Sequence, residues 1–287
     1  MSSPVLSLAS IEKVFPNGVR GLSPVDLTVE KGDFVTLIGP SGCGKSTLLK
    51  LIANLHTPSG GKMNWWGGNF GDVGRKGRRM AFVFQDATLM PWATIAKNVR
   101  LPLDLEKVDR ATADKRALAA LERVGLGHVT EHYPAQLSGG MKMRVSIARA
   151  LVTEPDLLLM DEPFGALDEF TRNRLDEEMA RLCYEDGLTT LFVTHALHEA
   201  AFLSSRVMVM AARPGRIHAQ YEIDRSILRN EEFRLSDQFA GISRELAILL
   251  EDASRESMIQ QEMRAIWPME TALDRAGYAR NGRSPPR

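Results

Sequence analysis

The sequence predicts an α/β protein: a mixed sheet with crossover helices and N-terminal antiparallel strands, carrying an inserted helical subdomain and a C-terminal helical extension. Three observations carry this. First, the short apolar runs Leu157-Leu158-Leu159-Met160, Thr190-Leu191-Phe192-Val193 and Val207-Met208-Val209-Met210 alternate with helical patterns at Leu167 to Tyr184 and Ala196 to Leu203. Runs without a polar face suit parallel strands covered on both sides by crossover helices. Second, the stretch from about Pro91 to Leu151 is rich in Ala, Leu and Arg at helical spacing, as in Ala113 to Val124 closed by Gly125. Third, residues 5 to 38 alternate apolar and polar positions, with turns at Pro16-Asn17-Gly18 and Lys31-Gly32-Asp33.

In chain order, the alternating N-terminal segment reads as antiparallel strands leading into the apolar run Phe34-Val35-Thr36-Leu37-Ile38. A glycine-rich loop follows, then a helix at Leu48 to Ala53. Met80-Ala81-Phe82-Val83-Phe84 is a second short strand. The helical insertion spans about 88–152 and the core resumes at Leu157. After Arg213-Pro214-Gly215 a short strand runs near Ile217 to Ile223. Asn230 reads as the N-cap of a helix with Leu235, Phe239, Ile242, Leu246 and Leu249 on one face. The expected division is a domain over 1–225, an extension over 226–267 and a disordered tail over 268–287, rich in Arg, Gly and Pro. There is no internal repeat.

Lys+Arg and Asp+Glu are both 36, so the chain lacks the basic footprint of a nucleic-acid binder. Two cysteines, Cys43 and Cys183, are too few for a disulfide scaffold and show no metal-ligand spacing. A reducing cytosol is the expected compartment. No run of about 18 apolar residues exists, and the N-terminus lacks the basic start and apolar core of a signal peptide. Any work at a membrane therefore calls for another chain to provide the membrane part.

The chemistry starts at Gly39-Pro40-Ser41-Gly42-Cys43-Gly44-Lys45-Ser46-Thr47, a complete G-x-x-x-x-G-K-[ST] loop between an apolar strand and a helix. Its glycines let successive backbone N–H groups turn inward around phosphates, and the helix N-terminus adds partial positive charge. Lys45 reaches the β- and γ-phosphates and Ser46 offers its hydroxyl to Mg²⁺. Asp161 and Glu162 end an apolar strand, at the sheet edge where open α/β folds bind ligands. Asp161 suits Mg²⁺ and Glu162 suits the task of deprotonating an attacking water. Ser138-Gly139-Gly140 opens a helical run, where exposed backbone N–H groups offer a second anion site or simply a capped helix after a loop. Two copies arranged head to tail use both sites, each placing its Ser138 helix over the other's nucleotide.

These motifs, with Gln85 after an apolar strand, Leu137-Ser138-Gly139-Gly140, Ala166-Leu167-Asp168 and His195 after a strand, stand in the order found in ATP-binding cassette (ABC) transporter subunits. The chain resembles that family over roughly residues 5 to 220, which implies a P-loop NTPase core of the ABC ATPase type. The resemblance further implies that Gln85 serves Mg²⁺ and senses the membrane partner. It implies that Ser138, Gly139 and Gly140 touch the γ-phosphate held by the opposite subunit, with Asp168 across that contact. His195 then bridges the γ-phosphate, Glu162 and the opposite subunit, and Phe15 stacks on adenine. The alternative for Phe15 is a packed hydrophobe.

Many family members carry Gln after Ser-Gly-Gly; here the sequence is Met141-Lys142-Met143-Arg144. Met141 resembles nitrate-, sulfonate- and taurine-type import ATPases, whereas Met143 departs even from that branch. Gln85 through Val99 resembles the same branch, in which this region receives a short helix of the permease. Leu89, Met90 and Trp92 then form an apolar socket, or else pack internally. The implied activity is ATP hydrolysis with ATP and Mg²⁺, coupled to uptake of a small anion through a separate permease and, indirectly, a solute-binding protein. The implied location is peripheral, on the cytoplasmic face of the inner (plasma) membrane, with no nucleic acid as partner. An export or lipid-trafficking ABC ATPase is the main rival; one acting on nucleic acid or ribosomes is remote, since the chain lacks a long coiled-coil insertion. The extension packs on its own core, contacts the twin subunit or carries regulation, with own-core packing the default.

Overall fold

A computed structural model describes residues 3–165 and 167–266, with side chains up to Gln260. The expected tail from Pro268, and Ala166 of the Ala166-Leu167-Asp168 motif, lie outside the described residues. Two sheets form the α/β core. The alternating N-terminal segment folds into β1 (Leu6–Val14) and β2 (Arg20–Val29), which pair antiparallel, and β4 (Gly60–Trp65) joins the other edge of β1. The larger sheet runs β5 (Met80–Val83), β6 (Leu157–Asp161), β7 (Thr189–Val193), β3 (Phe34–Ile38), β8 (Arg206–Ala211), β9 (Arg216–Glu222). Its first five strands are parallel and β9 is antiparallel to β8. The strands with no polar face lie at its centre: every residue of β3, β6 and β7 is buried.

Helix α1 (Lys45–Ile52) leaves β3. The segment read as a helical insertion holds α2 (Ile95–Leu105), α3 (Arg110–Arg123) and α4 (Gly139–Leu151), capped by Thr94, Asp109 and Ser138. Buried Asn98 fixes the loop before α2, with its amide donating to the carbonyls of Met90, Ala93 and Thr94 and its Oδ1 accepting from Met90 N–H. That loop splits the expected socket. Trp92 is 77% exposed, whereas Met90 is half-buried and Leu89 packs against the core. Helices α5 (Glu169–Tyr184) and α6 (Leu197–Leu203) cover the sheet.

The extension departs from the sequence reading in one respect. Asn230 caps a four-residue helix, α7 (Glu231–Arg234), by accepting from Phe233 N–H. The long helix α8 (Asp237–Ile266) starts separately behind Ser236, whose hydroxyl accepts from Phe239 N–H at 3.1 Å. Leu235, expected on the apolar face, sits in the break and is 81% exposed. Phe239, Ile242, Leu246 and Leu249 do pack on the core, and Phe202, Phe233 and Phe239 form an aromatic trio.

Arg234 of α7 also reaches into the interior, with its guanidinium over the Phe202 ring and 3.4 Å from the buried Asp176 carboxylate of α5. Burial, aided by Glu199, pushes the Asp176 carboxyl up to about 8 against the opposing pull of Arg234 and Arg172. The folded chain thus holds a proton that the unfolded chain releases near its ordinary value, so Asp176 makes stability fall as pH rises between those limits. Asp176→Asn removes this titration. The drop in thermal midpoint between about pH 5 and pH 8 is expected to shrink in the variant, measured by circular dichroism.

Candidate nucleotide site

The loop after β3 bends where only glycine fits. A Cβ at Gly39 would lie 2.6 Å from the Met210 carbonyl oxygen, and Gly44 is in the left-handed region at φ 95°. Gly44 is the N-cap of α1 and has no side chain to bond the first N–H groups of the helix, which leaves them for an anion. Lys45 is buried, and its Nζ donates to the carbonyl oxygens of Gly39 at 2.8 Å and Pro40 at 3.4 Å. The ammonium is thereby held along the loop. Cys43 is fully buried beneath it, and burial raises its thiol pKa.

Asp161 ends β6, and its Oδ1 accepts from the Ser46 hydroxyl at 2.8 Å. Burial raises the Asp161 carboxyl above its ordinary range; the Ser46 bond and Lys50 oppose this. A buried carboxylate beside a hydroxyl is a pair of hard oxygen donors that suits Mg²⁺. Glu162 follows with φ 49°, unusual for a residue with a side chain, and its N–H donates to Val193 O at 2.9 Å. Its carboxylate lies 3.4 Å from His195 Nδ1.

A groove of about 1200 Å³ joins these groups. Lys45, Ser46, Thr47, Gln85, Glu162 and His195 line one part of it. Gly39, Ser41, Gly42 and Gly44 add the loop, and Phe15 lines the groove beside Gly18 to Gly21. Pro40 and Cys43 belong to the loop without lining the groove. Asp161 bonds Ser46 from behind. The structure therefore brings together the phosphate loop, both acids, Gln85, His195 and Phe15.

Four further expected residues lie away from the groove altogether. Ser138 caps α4, its Oγ accepting from Met141 N–H at 3.2 Å; Ser138 and Gly139 are exposed, and Gly140 follows them in the first turn. Asp168 caps α5 by accepting from Thr171 N–H at 2.9 Å, and that bond holds its carboxyl below the usual range.

Sequence reasoning missed two supports. Arg20 and the Arg213-Pro214-Gly215 turn line the groove. The second support braces His195. Glu199, buried on α6, accepts a short hydrogen bond from the Thr194 hydroxyl, whose oxygen accepts from Ala196 N–H at 3.0 Å. Arg172 Nε lies 3.3 Å from Glu199, too poorly aligned for a hydrogen bond but close enough for an ion pair, while its Nη2 donates to Leu167 O at 2.9 Å. A single guanidinium thus joins the loop of His195 to the loop between Glu162 and Asp168. The one available signal was a lone carboxylate in an apolar helix, which asks for partners.

Fold and groove define a P-loop protein built to bind a nucleoside triphosphate. The family model described as ABC transporter matches residues 22–165. The chain is similar to the aliphatic sulfonates import ATP-binding protein of Bacillus licheniformis, 41% identical over 222 residues, covering 76% of this chain and 85% of that one. It is also similar to the bicarbonate transport ATP-binding protein of Synechococcus elongatus, 42% identical over 226 residues, which cover 76% of this chain and 34% of that longer protein. Among solved structures it resembles a dimeric post-hydrolysis state of the ATP-binding cassette MJ0796 bound to ADP and Pi, with TM-score 0.70 and 32% identity, covering 76% of this chain and 99% of that one. The chain belongs to the ABC transporter family.

Proposed function

We propose that this chain is the ATP-binding and hydrolysing subunit of an importer, working in pairs on a separate permease. The observation that carries this is the convergence of Lys45, Ser46, Glu162 and His195 on one groove, while Ser138 and Gly139 are exposed away from it. Phosphates bind the loop 39–47 and Lys45, and Phe15 stacks on adenine. Ser46 and Asp161, with Gln85, would hold Mg²⁺, which when bound would neutralise phosphate charge. Glu162 takes the proton of the attacking water, and His195, 3.4 Å away, orients that carboxylate and meets the γ-phosphate.

Ser138 of the partner subunit, with its helix N-terminus, completes each site, and Asp168 lies at the contact. ATP binds the closed pair more tightly than the open one, so closure drives the permease; hydrolysis removes the group that joins the halves. Residues 1–225 form the ATPase domain and 226–267 the extension. Among the described residues no helix is long and apolar enough to cross a membrane, which fits a peripheral subunit on the cytoplasmic face. Relatives of nearly equal identity are named for sulfonates and for bicarbonate. Small anions are thus the solute class, delivered by a solute-binding protein. Affinity purification of the full chain from its host membranes is expected to retain a permease and Mg²⁺-dependent ATPase activity lost on chelation; recovery with neither rejects the proposal.

A further inference from the structure

The extension reaches the nucleotide groove through one turn. That turn, between β8 and β9, contains Arg213, Pro214 and Gly215, all lining the groove. Three sets of contacts hold it. On the β2 side, Gly215 N–H donates to Gly21 O at 3.1 Å, and Ser23 N–H donates to Gly215 O at 2.8 Å. Gly21 in turn packs on Phe15, for a Cβ there would lie 2.5 Å from the ring. On the loop side, a Cβ at Gly215 would lie 2.1 Å from the Cys43 carbonyl oxygen, so the turn sits directly on the phosphate-binding loop.

Helix α8 supplies the third set. The Ser257 hydroxyl, buried, accepts from Ala212 N–H at 2.8 Å and donates to Ala253 O at 2.7 Å. Glu256 lies 2.5 Å from Arg216 Nη2 and 2.8 Å from His218 Nδ1. Arg216 Nη1 donates to Gln260 Oε1 at 3.2 Å and to Pro214 O at 3.3 Å. Arg216 therefore ties the turn's own backbone to the helix. These bonds are spent on the turn from outside the groove; none of Glu256, Ser257 or Gln260 lines it.

We propose that α8 is a clamp that sets nucleotide affinity: Glu256 and Ser257 are positioning residues that hold the Arg213–Gly215 turn as the wall of the nucleoside end of the groove, beside Phe15. The inference rests on the nucleotide-binding reading above. It assigns the extension a role in how tightly nucleotide is held, separate from the chemistry at Glu162. Ser257→Ala leaves the buried Ala212 N–H without an acceptor and Glu256→Gln weakens the hold on Arg216, which loosens the outer side of the turn, while the backbone bonds to Gly21 and Ser23 and the Lys45 contacts remain. A ligand with a nucleoside feels the loss; a bare phosphate chain does not.

The test is calorimetric titration of the full chain with ADP and, separately, with pyrophosphate, for the native protein, Glu256→Gln, Ser257→Ala and the exposed control Glu251→Gln, which lies earlier on the same helix. Thermal midpoints confirm that each variant folds, and the half-exposed Glu256 guards against a folding defect at buried Ser257. Both clamp variants are expected to bind ADP about threefold to tenfold more weakly, with pyrophosphate affinity and the control unchanged. Native-like ADP affinity in folded variants overturns the clamp, as does an equal loss for ADP and pyrophosphate. A native chain that binds neither ligand rejects the nucleotide reading itself, and the clamp with it.

Discussion

Glu162→Gln is expected to lower ATP turnover by about 10²- to 10⁴-fold while nucleotide binding persists. The substitution keeps size and hydrogen bonding but removes the proton acceptor. The backbone around it is pinned by the bond from Glu162 N–H to Val193 O, and neither Lys45 nor Ser46 depends on its side chain. Phosphate release in the steady state, measured beside equilibrium binding of ATP, separates the two effects. Turnover close to native in a variant that binds ATP removes Glu162 from the role of base.

A comparable loss is expected from either half of the proposed composite site, and it is reversible by mixing. Lys45→Ala strips the loop of its ammonium. Gly139→Asp places a carboxylate where the proposed site receives the partner's γ-phosphate. The second change leaves the fold intact, because a Cβ at Gly139 meets nothing within 4 Å and acids favour the first helical turn. Each variant alone is expected to fall below about 1% of native activity. Mixed in equal amounts, half the dimers pair one chain of each kind. Each such dimer holds one intact site of two, so about a quarter of native activity returns. If both groups served the same chain, mixing would restore nothing; absence of recovery in mixtures shown to contain mixed dimers refutes the shared site.

The groove was legible wherever chemistry is written in contiguous residues. The loop from Gly39 to Thr47 carries its own strand and helix, and Asp161 and Glu162 announce themselves by ending an apolar run. What escaped was tertiary. Glu199 and Arg172 meet only when two helices pack, and no local pattern in either predicts the other. Arg213-Pro214-Gly215 reads as a plain turn, since its place in the groove depends on β8 lying next to β3. The extension was misjudged because Asn230 is a genuine cap, but of one short helix. Ser236, an equally good cap six residues on, starts the long one and leaves Leu235 in solvent.

The guanidinium of Arg172 has a consequence for the proposed pairing of two cassettes. It grips the Leu167 carbonyl with one nitrogen and faces Glu199, which steadies the His195 strap, with another. The segment leading to Asp168 and the loop that carries His195 are therefore joined through one side chain. If two copies meet at Asp168 as proposed, a shift there reaches the His195 loop through Arg172 without passing through the nucleotide, and binding at either place biases the other by the same free energy.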